Sequence, residues 1–273
     1  QYDPKQMLSL MEASIDLGVT TFDHADIYGH YTTEETFGQA LAGRSGLRQK
    51  MQLVTKCGIK LVTPNRPDHR IKSYDTSKDY IIASAERSLR NLRTDYLDLL
   101  LIHRPSPLMN PEEIAEAFAA LSASGKVRFF GVSNFTVSQF ELLRQFFPLV
   151  TNQVEASIMH LDPFLDGVFD QMMKHQLRPM VWAPFGGGQF FTELHDPRVS
   201  RIRNVAEKMK HEFGLEQIDP LILAWLLRHP SGLAPVIGTG RIERVKLALQ
   251  ALEISLTREQ WFRLWSASTG TDV

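Results

Sequence analysis

Two patterns of apolar residues alternate along the chain. Short runs rich in Val, Ile, Leu and Phe are separated by longer stretches in which apolar residues recur every three or four positions. The short runs are typical of buried strands, and the longer stretches are typical of amphipathic helices. Together they predict seven strands, at residues 19–22, 51–56, 96–103, 127–133, 149–155, 178–184 and 234–237.

Helix starts are predicted from capping boxes, in which a Thr is followed three positions later by an acidic or amide residue. Thr76 with Asp79 predicts one helix start, and Thr257 with Gln260 predicts another. Residues 57–75 lack periodicity and form the longest irregular segment. Loops of that length in compact domains are usually functional or mobile, so this segment is a candidate for substrate recognition.

Strands that alternate with helices of this length predict βαβ units with right-handed crossovers, and hence a parallel sheet. No linker, repeat or low-complexity stretch interrupts the alternation, so one domain over residues 1–273 is expected. The predicted fold class is α/β, a (β/α)8 TIM barrel, which needs eight strands. Because the chain opens in a helix and begins with Gln1 rather than Met, we expect the first barrel strand to lie upstream.

Composition limits the partners that such a fold serves. Apolar residues make up 43% of the chain and charged residues 22%, as in an ordinary globular enzyme. The net charge of −1 gives no reason to expect a nucleic acid or membrane partner, and no apolar run approaches the roughly 20 residues of a membrane span. With Cys57 as the only cysteine, no disulfide or cysteine-based metal cluster is expected, and a cytoplasmic location fits. Nothing predicts a metal site or an oligomeric state.

Polar residues appear where the predicted strands end. In a parallel barrel all strands point the same way, so residues at their carboxyl ends converge on one face. Each residue alone has a structural explanation, such as a helix cap, a solvated strand end or a core histidine, but the shared position favours a functional site. The residues are Asp23 and Tyr28, Lys56, His103, Ser133 and Asn134, Gln153, and Trp182.

Four of these residues suit proton donation to a carbonyl oxygen. A tyrosine hydroxyl has a reference pKa of about 10, too high for an efficient acid at neutral pH unless a cation stabilises the phenolate. A lysine supplies that cation, a carboxylate keeps the lysine charged and oriented, and a histidine directs the substrate oxygen. Tyr28, Lys56, Asp23 and His103 fill these roles.

The same residues carry a family resemblance. The stretch TFDHADIYG, with Asp23 five positions before Tyr28, resembles the signature of the aldo-keto reductases, and LVTK at Lys56 and LLLIH at His103 also match. The resemblance covers essentially the whole chain and points to a bacterial branch of NADPH-dependent oxidoreductases. It implies a (β/α)8 barrel that reduces a small-molecule aldehyde or ketone by hydride transfer from NADPH, with Tyr28 as general acid.

The resemblance also implies a binding site for the nicotinamide and pyrophosphate of NADPH. Amides and a hydroxyl would satisfy the carboxamide, an aromatic ring would stack on the nicotinamide, and glycines would let backbone amides approach the pyrophosphate. The matching positions are Ser133, Asn134 and Gln153 for the carboxamide, Trp182 for stacking, and Gly186, Gly187 and Gly188 for the pyrophosphate.

A further stretch matches the family's site for the adenosine 2′-phosphate, where a strand end runs into a helix N-terminus and two arginines add positive charge. This match favours NADPH over NADH. The chain departs from the family at Thr239, where many members carry lysine, and at Leu247 and Ala248, which replace a polar pair. The matching positions are Gly238, Thr239, Gly240, Arg241 and Arg244.

Two other functions fit parts of the pattern. Lys56 could act as the nucleophile of a Schiff-base aldolase, which borohydride would trap on a carbonyl substrate. A regulatory protein, like the family members that serve as potassium-channel subunits, would bind NADPH without reducing an aldehyde. Two polar residues of the signature, His24 and Asp26, have no predicted role.

Overall fold

The computed structural model describes residues 3–271, and the chain forms two compact units, Gln1–Asn152 and Gln153–Val273. Parallel strands alternate with helices in both units. The expectation of a single domain over residues 1–273 stays a prediction.

The first unit contains a parallel sheet with the strand order β1-β2-β5-β6. Leu53 of β2 lies opposite Phe22, and Leu99 of β5 lies opposite Val54 on one side and Phe129 on the other. The remaining strands, β3 and β4, pair with each other as an antiparallel hairpin. The strands are β1 (Thr21–Asp23), β2 (Gln52–Cys57), β3 (Ile59–Lys60), β4 (Ser73–Tyr74), β5 (Leu97–Ile102) and β6 (Val127–Ser133).

Helices of the first unit bury one apolar face each, which is the usual origin of helix stability in proteins. On α4, Ala117 and Phe118 are fully buried, and the Phe118 ring stacks on Phe130 of β6 with centroids 4.3 Å apart. The helices are α1 (Pro4–Asp16), α2 (Thr33–Ala42), α3 (Lys78–Leu92), α4 (Pro111–Ala123) and α5 (Val137–Arg144). A 3-10 turn spans Arg48–Lys50.

Apart from Asn152, the first residue of β7, three parallel strands lie in the second unit in the order β7-β8-β9. They are β7 (Asn152–Glu155), β8 (Met180–Trp182) and β9 (Ala234–Pro235). Its core includes the fully buried Trp225, whose ring stacks on Trp261 with centroids 5.0 Å apart. The helices are α6 (Val168–Lys174), α7 (Gln189–Thr192), α8 (Pro197–Lys210), α9 (Asp219–Leu227), α10 (Ile242–Leu249) and α11 (Arg258–Thr269). Four 3-10 turns span Asp162–Phe164, Gly186–Gly188, His211–Phe213 and Gln250–Glu253.

The seven predicted strands all occur among residues 3–271, as the parallel strands of the two units. An eighth parallel strand is not among these residues, and its position before Gln1 stays a prediction. The irregular segment 57–75 was only partly predicted, because it contains the β3–β4 hairpin. Each of those strands is two residues long, too short to show a periodic pattern.

One predicted helix start is wrong and another is confirmed. The capping box at Thr76 does not form: α3 begins after Ser77, and the Asp75 carboxylate accepts hydrogen bonds from both the backbone N–H and the hydroxyl of Ser77. This local turn at Asp75 moves the helix start by one residue. The capping box of Thr257 and Gln260 is present at α11.

Candidate active site

The turn that follows β1 presents Tyr28 at the surface of the first unit. The Tyr28 N–H donates to the carbonyl of Ala25, and the Tyr28 carbonyl accepts from Thr32 N–H at 3.2 Å. Gly29 comes next with φ of +57°, and a Cβ at this position would lie 2.5 Å from the Thr33 hydroxyl oxygen. The turn therefore favours glycine beside the tyrosine, because of the left-handed backbone.

Lys56 lies near the end of β2, is 1% exposed, and makes three hydrogen bonds within the first unit. Its Nζ donates to Asp23 Oδ2 at 2.6 Å, to the carbonyl of His24 at 2.8 Å and to the Tyr28 hydroxyl at 3.3 Å. The Asp23 side chain is also nearly buried, whereas Tyr28 is 39% exposed. The ammonium of a buried ion pair thus contacts the hydroxyl of an exposed tyrosine. The lysine charge therefore acts on a hydroxyl that a ligand can reach.

His103 follows β5 and faces Tyr28, with ring centroids 6.1 Å apart in an edge-on arrangement. Its backbone N–H donates to the Cys57 carbonyl at 2.8 Å, which fixes it beside the end of β2. Burial, with the positive charges of Lys56 and Arg104, lowers the pKa of His103 to about 3. The imidazole is therefore neutral at physiological pH and carries one N–H donor and one acceptor nitrogen.

Ser133 and Asn134 end the neighbouring strand β6. Asn134 has a left-handed φ of +61°, which asparagine tolerates better than most residues. Its side-chain amide donates to the Ser133 hydroxyl at 2.8 Å and to the His103 carbonyl at 3.2 Å. The structure therefore brings six of the predicted site residues together in the first unit.

Gln153 and Trp182 lie on adjacent parallel strands of the second unit. Gln153 of β7 is buried opposite Met180, and its side-chain nitrogen lies 3.7 Å from the Met180 sulfur. Trp182 lies at the end of β8, opposite Glu155, and is partly exposed. Both residues thus occupy strand positions, as their sequence context predicted.

Three glycines follow β8, and all three have a left-handed backbone: φ is +60° at Gly186, +63° at Gly187 and +99° at Gly188. A Cβ on Gly187 or Gly188 would meet no atom within 4 Å, so these positions need glycine for conformation and not for space. The segment leads into the short helix α7. Within it the N–H groups of Gly186 and Gly188 donate to the carbonyls of Ala183 and Phe185.

The N-terminus of α10 carries two exposed arginines. Arg241 is the N-cap residue, its side chain makes no capping hydrogen bond, and its N–H donates to the Thr239 hydroxyl at 3.2 Å. Arg244 lies in the first turn of the helix and is exposed as well. A Cβ at Gly238 would meet no atom within 4 Å. The partial positive charge of the helix end and two guanidinium groups thus coincide, an arrangement that favours an anion.

His24 and Asp26 are the two polar residues of the signature whose place the sequence did not predict, and both are buried. The His24 ring packs edge-on against Phe37 at 4.3 Å, and burial lowers its pKa to about 3. Neither carboxylate oxygen of Asp26 has a hydrogen-bond partner among residues 3–271. No signal in a single sequence separates such buried polar residues from solvated ones.

Two further observations concern other classes of site. Within residues 3–271 no cluster of three or more His, Cys, Asp or Glu side chains is placed to hold a metal ion. Among the helices of the same residues, none combines the length and apolar character that crossing a bilayer requires.

The sequence profile of the Aldo/keto reductase family matches residues 1–268. The oxidoreductase YcsN of Bacillus subtilis is 51% identical over 274 residues, which cover 100% of this chain and 91% of that protein. The 6-dehydroglucose reductase of Agrobacterium fabrum is 40% identical, covering 99% of this chain and 90% of that protein. A crystal structure of a Klebsiella pneumoniae aldo/keto reductase in complex with NADP and acetate has a TM-score of 0.76 and 30% identity, covering 96% of this chain and 84% of that chain.

The chain belongs to the aldo/keto reductase family. The predicted resemblance and fold class are therefore confirmed, and so is the predicted class of enzyme, an oxidoreductase of a family that uses NADP(H). The roles of individual residues in this aldo-keto reductase do not follow from family membership alone.

Proposed function

We propose that this aldo-keto reductase reduces an aldehyde or ketone to the alcohol with NADPH, and that Tyr28 is the general acid. The observation that carries the proposal is the buried Lys56 ammonium, which bridges the Asp23 carboxylate at 2.6 Å and the exposed Tyr28 hydroxyl at 3.3 Å. When bound, NADPH supplies the hydride that adds to the carbonyl carbon.

Tyr28 supplies the proton to the carbonyl oxygen as negative charge develops there. The phenolate left behind is stabilised by the Lys56 ammonium, which has no water shell to lose because the side chain is already buried. The Asp23 carboxylate and the His24 carbonyl hold the ammonium in place without moving during the reaction. Such preorganised electrostatic stabilisation is commonly the largest contribution to catalysis.

His103 orients the substrate oxygen in this proposal. Because its pKa is lowered to about 3, the imidazole donates a hydrogen bond as a neutral group and does not compete with Tyr28 as an acid. Its position opposite the Tyr28 ring lets the two groups approach the same oxygen atom from different sides.

The residues predicted for the nicotinamide end fit NADPH chemically. The carboxamide has one acceptor and two donors, which a hydroxyl and two amide side chains can satisfy. Trp182 offers a large aromatic face at a strand end for stacking. We assign Ser133, Asn134 and Gln153 to the carboxamide and Trp182 to the nicotinamide ring.

We assign the phosphate groups of NADPH to residues of the second unit. We assign Gly186, Gly187 and Gly188 to the pyrophosphate, because Gly187 and Gly188 leave open space where a Cβ would stand and a phosphate can then approach the backbone closely. The exposed guanidinium groups of Arg241 and Arg244 at the α10 N-terminus suit a 2′-phosphate. Gly238, Thr239 and Gly240 lead the chain into this site.

Lys56 is poorly placed for the alternative role of an aldolase nucleophile. A Schiff base needs a neutral amine with room for a carbonyl carbon, whereas this Nζ is buried and donates to three oxygen atoms. A reductase uses the same lysine as a fixed cation, which agrees with the observed contacts. The single cysteine is compatible with the reducing environment of the cytoplasm, and we propose that location for the enzyme.

The test of the proposal is Tyr28→Phe, which removes only the hydroxyl group. We expect kcat for aldehyde reduction to fall by about two to four orders of magnitude, while the Kd for NADPH stays within about twofold. Tyr74→Phe is the matched control, because Tyr74 is 38% exposed in the same unit and should leave both values unchanged. A large loss of NADPH affinity, or a nearly normal kcat, would show that the role of Tyr28 is misassigned.

The name of the Agrobacterium relative suggests a substrate for the assay. We include 6-dehydroglucose in the panel of carbonyl compounds, beside simple aldehydes, ketones and quinones. If the KM for 6-dehydroglucose is the lowest among the compounds of the panel, the proposal extends to carbohydrate substrates.

A further inference from the structure

The segment that follows the catalytic strand β2 is attached to the turn that carries Tyr28. It leaves β2 directly after Lys56 and Cys57, forms the β3–β4 hairpin, and continues into α3. We call residues 58–75 the hairpin loop. The hairpin loop starts two residues after Lys56 and is attached to Tyr31, which is three residues after Tyr28. It therefore borders both residues assigned to proton transfer.

Tyr31 makes the attachment. Its hydroxyl donates to the Ile59 carbonyl at 3.1 Å and accepts from the Leu61 N–H at 3.0 Å, so one side chain satisfies two backbone groups of the hairpin loop. The Tyr31 side chain is buried, although the residue belongs to a short surface turn.

Side chains of the hairpin loop also contact Tyr31 and its neighbour His30. The Arg66 guanidinium lies over the Tyr31 ring at 4.6 Å, and the His69 ring meets its edge at 6.0 Å. The side-chain amide of Asn65 donates to the His30 carbonyl at 2.8 Å. Arg66 and His69 therefore help to hold the loop against Tyr31.

The backbone of the turn is strained in a way that needs such contacts. His30 and Tyr31 have φ values of +56° and +71°, in the left-handed region that residues with a Cβ rarely adopt. Two consecutive non-glycine residues in this region persist only where the surroundings fix them, and such residues cluster at functional sites. The hydrogen bonds of Tyr31 and the Asn65 contact supply that constraint.

We propose that Tyr31 is a positioning residue that fixes the hairpin loop against the Tyr28 turn, so that the substrate side of the site is formed before the substrate binds. The inference rests on the proposed carbonyl reduction, because it assigns the loop to substrate recognition. A loop held in this way discriminates between substrates by shape, since a preorganised site pays no ordering cost on binding.

The experiment compares Tyr31→Phe, which keeps the ring and its contacts with Arg66 and His69, with the wild-type enzyme. Hydrogen exchange at the Leu61 amide should become about tenfold faster, the size expected for the loss of one hydrogen bond. The KM for a bulky ketone should rise about three- to tenfold, while kcat and the Kd for NADPH stay within about twofold.

Two further variants keep the test decisive. Asn65→Ala removes the second attachment and should change Leu61 exchange and KM in the same direction, by a smaller factor. Tyr96→Phe removes a hydroxyl from a tyrosine outside the hairpin loop and should change neither. Should Tyr31→Phe lower the melting temperature but leave Leu61 exchange and KM unchanged, Tyr31 is a structural residue and the proposal is wrong.

The exchange measurement separates this inference from the proposed function. If the wild-type enzyme reduces no carbonyl compound, the proposed function fails, but faster exchange at Leu61 in Tyr31→Phe would still support the attachment of the loop. If reduction occurs and Leu61 exchange is unaffected, only the role of Tyr31 is refuted.

Discussion

At the level of single residues, the carboxyl groups of Asp23 and Asp26 have opposite surroundings although they lie only three positions apart. Asp23 pairs with the Lys56 ammonium at 2.6 Å, whereas Asp26 is buried and its carboxylate oxygens lack hydrogen-bond partners among residues 3–271. Burial, followed by the nearby carboxyl of Glu34, raises the pKa of Asp26 well above its usual value, against the smaller opposing effect of Arg87. Asp26 is therefore held in its protonated form more strongly than an exposed aspartate.

The substitution Asp26→Asn should stabilise the protein at high pH. In the unfolded chain Asp26 loses its proton near pH 4, while the folded protein retains it to higher pH, so folding becomes less favourable as the pH rises through that window. We expect the variant to gain on the order of 1 kcal/mol or more in unfolding free energy at pH 8, and little at pH 4. Urea unfolding at several pH values measures the difference.

Asp68→Asn is the control for this prediction, because Asp68 is exposed in the hairpin loop. Its effect on the unfolding free energy should be small. A stabilisation by Asp26→Asn that is equal at pH 4 and pH 8 would contradict the account of a buried, protonated carboxyl group.

Some residues of the site could be predicted from the sequence, and others could not. Asp23, Tyr28, Lys56 and His103 were predicted because each ends a hydrophobic run, and the structure brings all four together. The role of Tyr31 could not be predicted, because its partners in the hairpin loop are backbone groups about 30 positions away. Backbone hydrogen bonds of this kind leave no mark on residue type.

At the level of elements, the N-terminus of α10 combines the positive end of a helix dipole with two arginines, and the side chain of the N-cap residue makes no capping hydrogen bond. The Arg244→Ala variant should weaken NADPH binding by roughly ten- to a hundredfold, as expected for the loss of a charge-assisted hydrogen bond, and leave NADH binding almost unchanged. Fluorescence titration with each cofactor measures both values.

Lys246→Ala provides the control on the same helix, since Lys246 is exposed but lies beyond the first turn. It should affect both cofactors slightly and equally, through general charge alone. Equal losses of NADPH and NADH affinity in Arg244→Ala would refute the assignment of this helix end to the 2′-phosphate.

Elements with a strong local pattern were predicted well, and the others were not. The strand at Val127–Ser133 has the predicted bounds, and α11 begins at the predicted capping box of Thr257 and Gln260. The start of α3 was misplaced because Asp75, one residue before Thr76, makes the local hydrogen bonds. Capping boxes share their residue types with such turns, so sequence alone does not decide between them.

At the level of the whole molecule, the order of the motifs along the chain decided the family before any contact was known. Alternating strands and helices predicted parallel βαβ units, and both units contain them. The match of residues 1–268 to the Aldo/keto reductase family agrees with that reading. The pattern of apolar residues does not predict the substrate. Substrate choice depends on loops such as residues 58–75, and that pattern does not encode the contacts of a loop.

The most direct test of the central claim is the stoichiometry of the reaction. The enzyme is incubated with NADPH and an excess of aldehyde, the loss of NADPH is followed by its absorbance, and the alcohol is quantified by mass spectrometry. The account predicts one alcohol formed for each NADPH consumed, with no borohydride-trapped adduct on Lys56. NADPH binding without alcohol formation from any carbonyl in the panel, or a covalent adduct at Lys56, would contradict it.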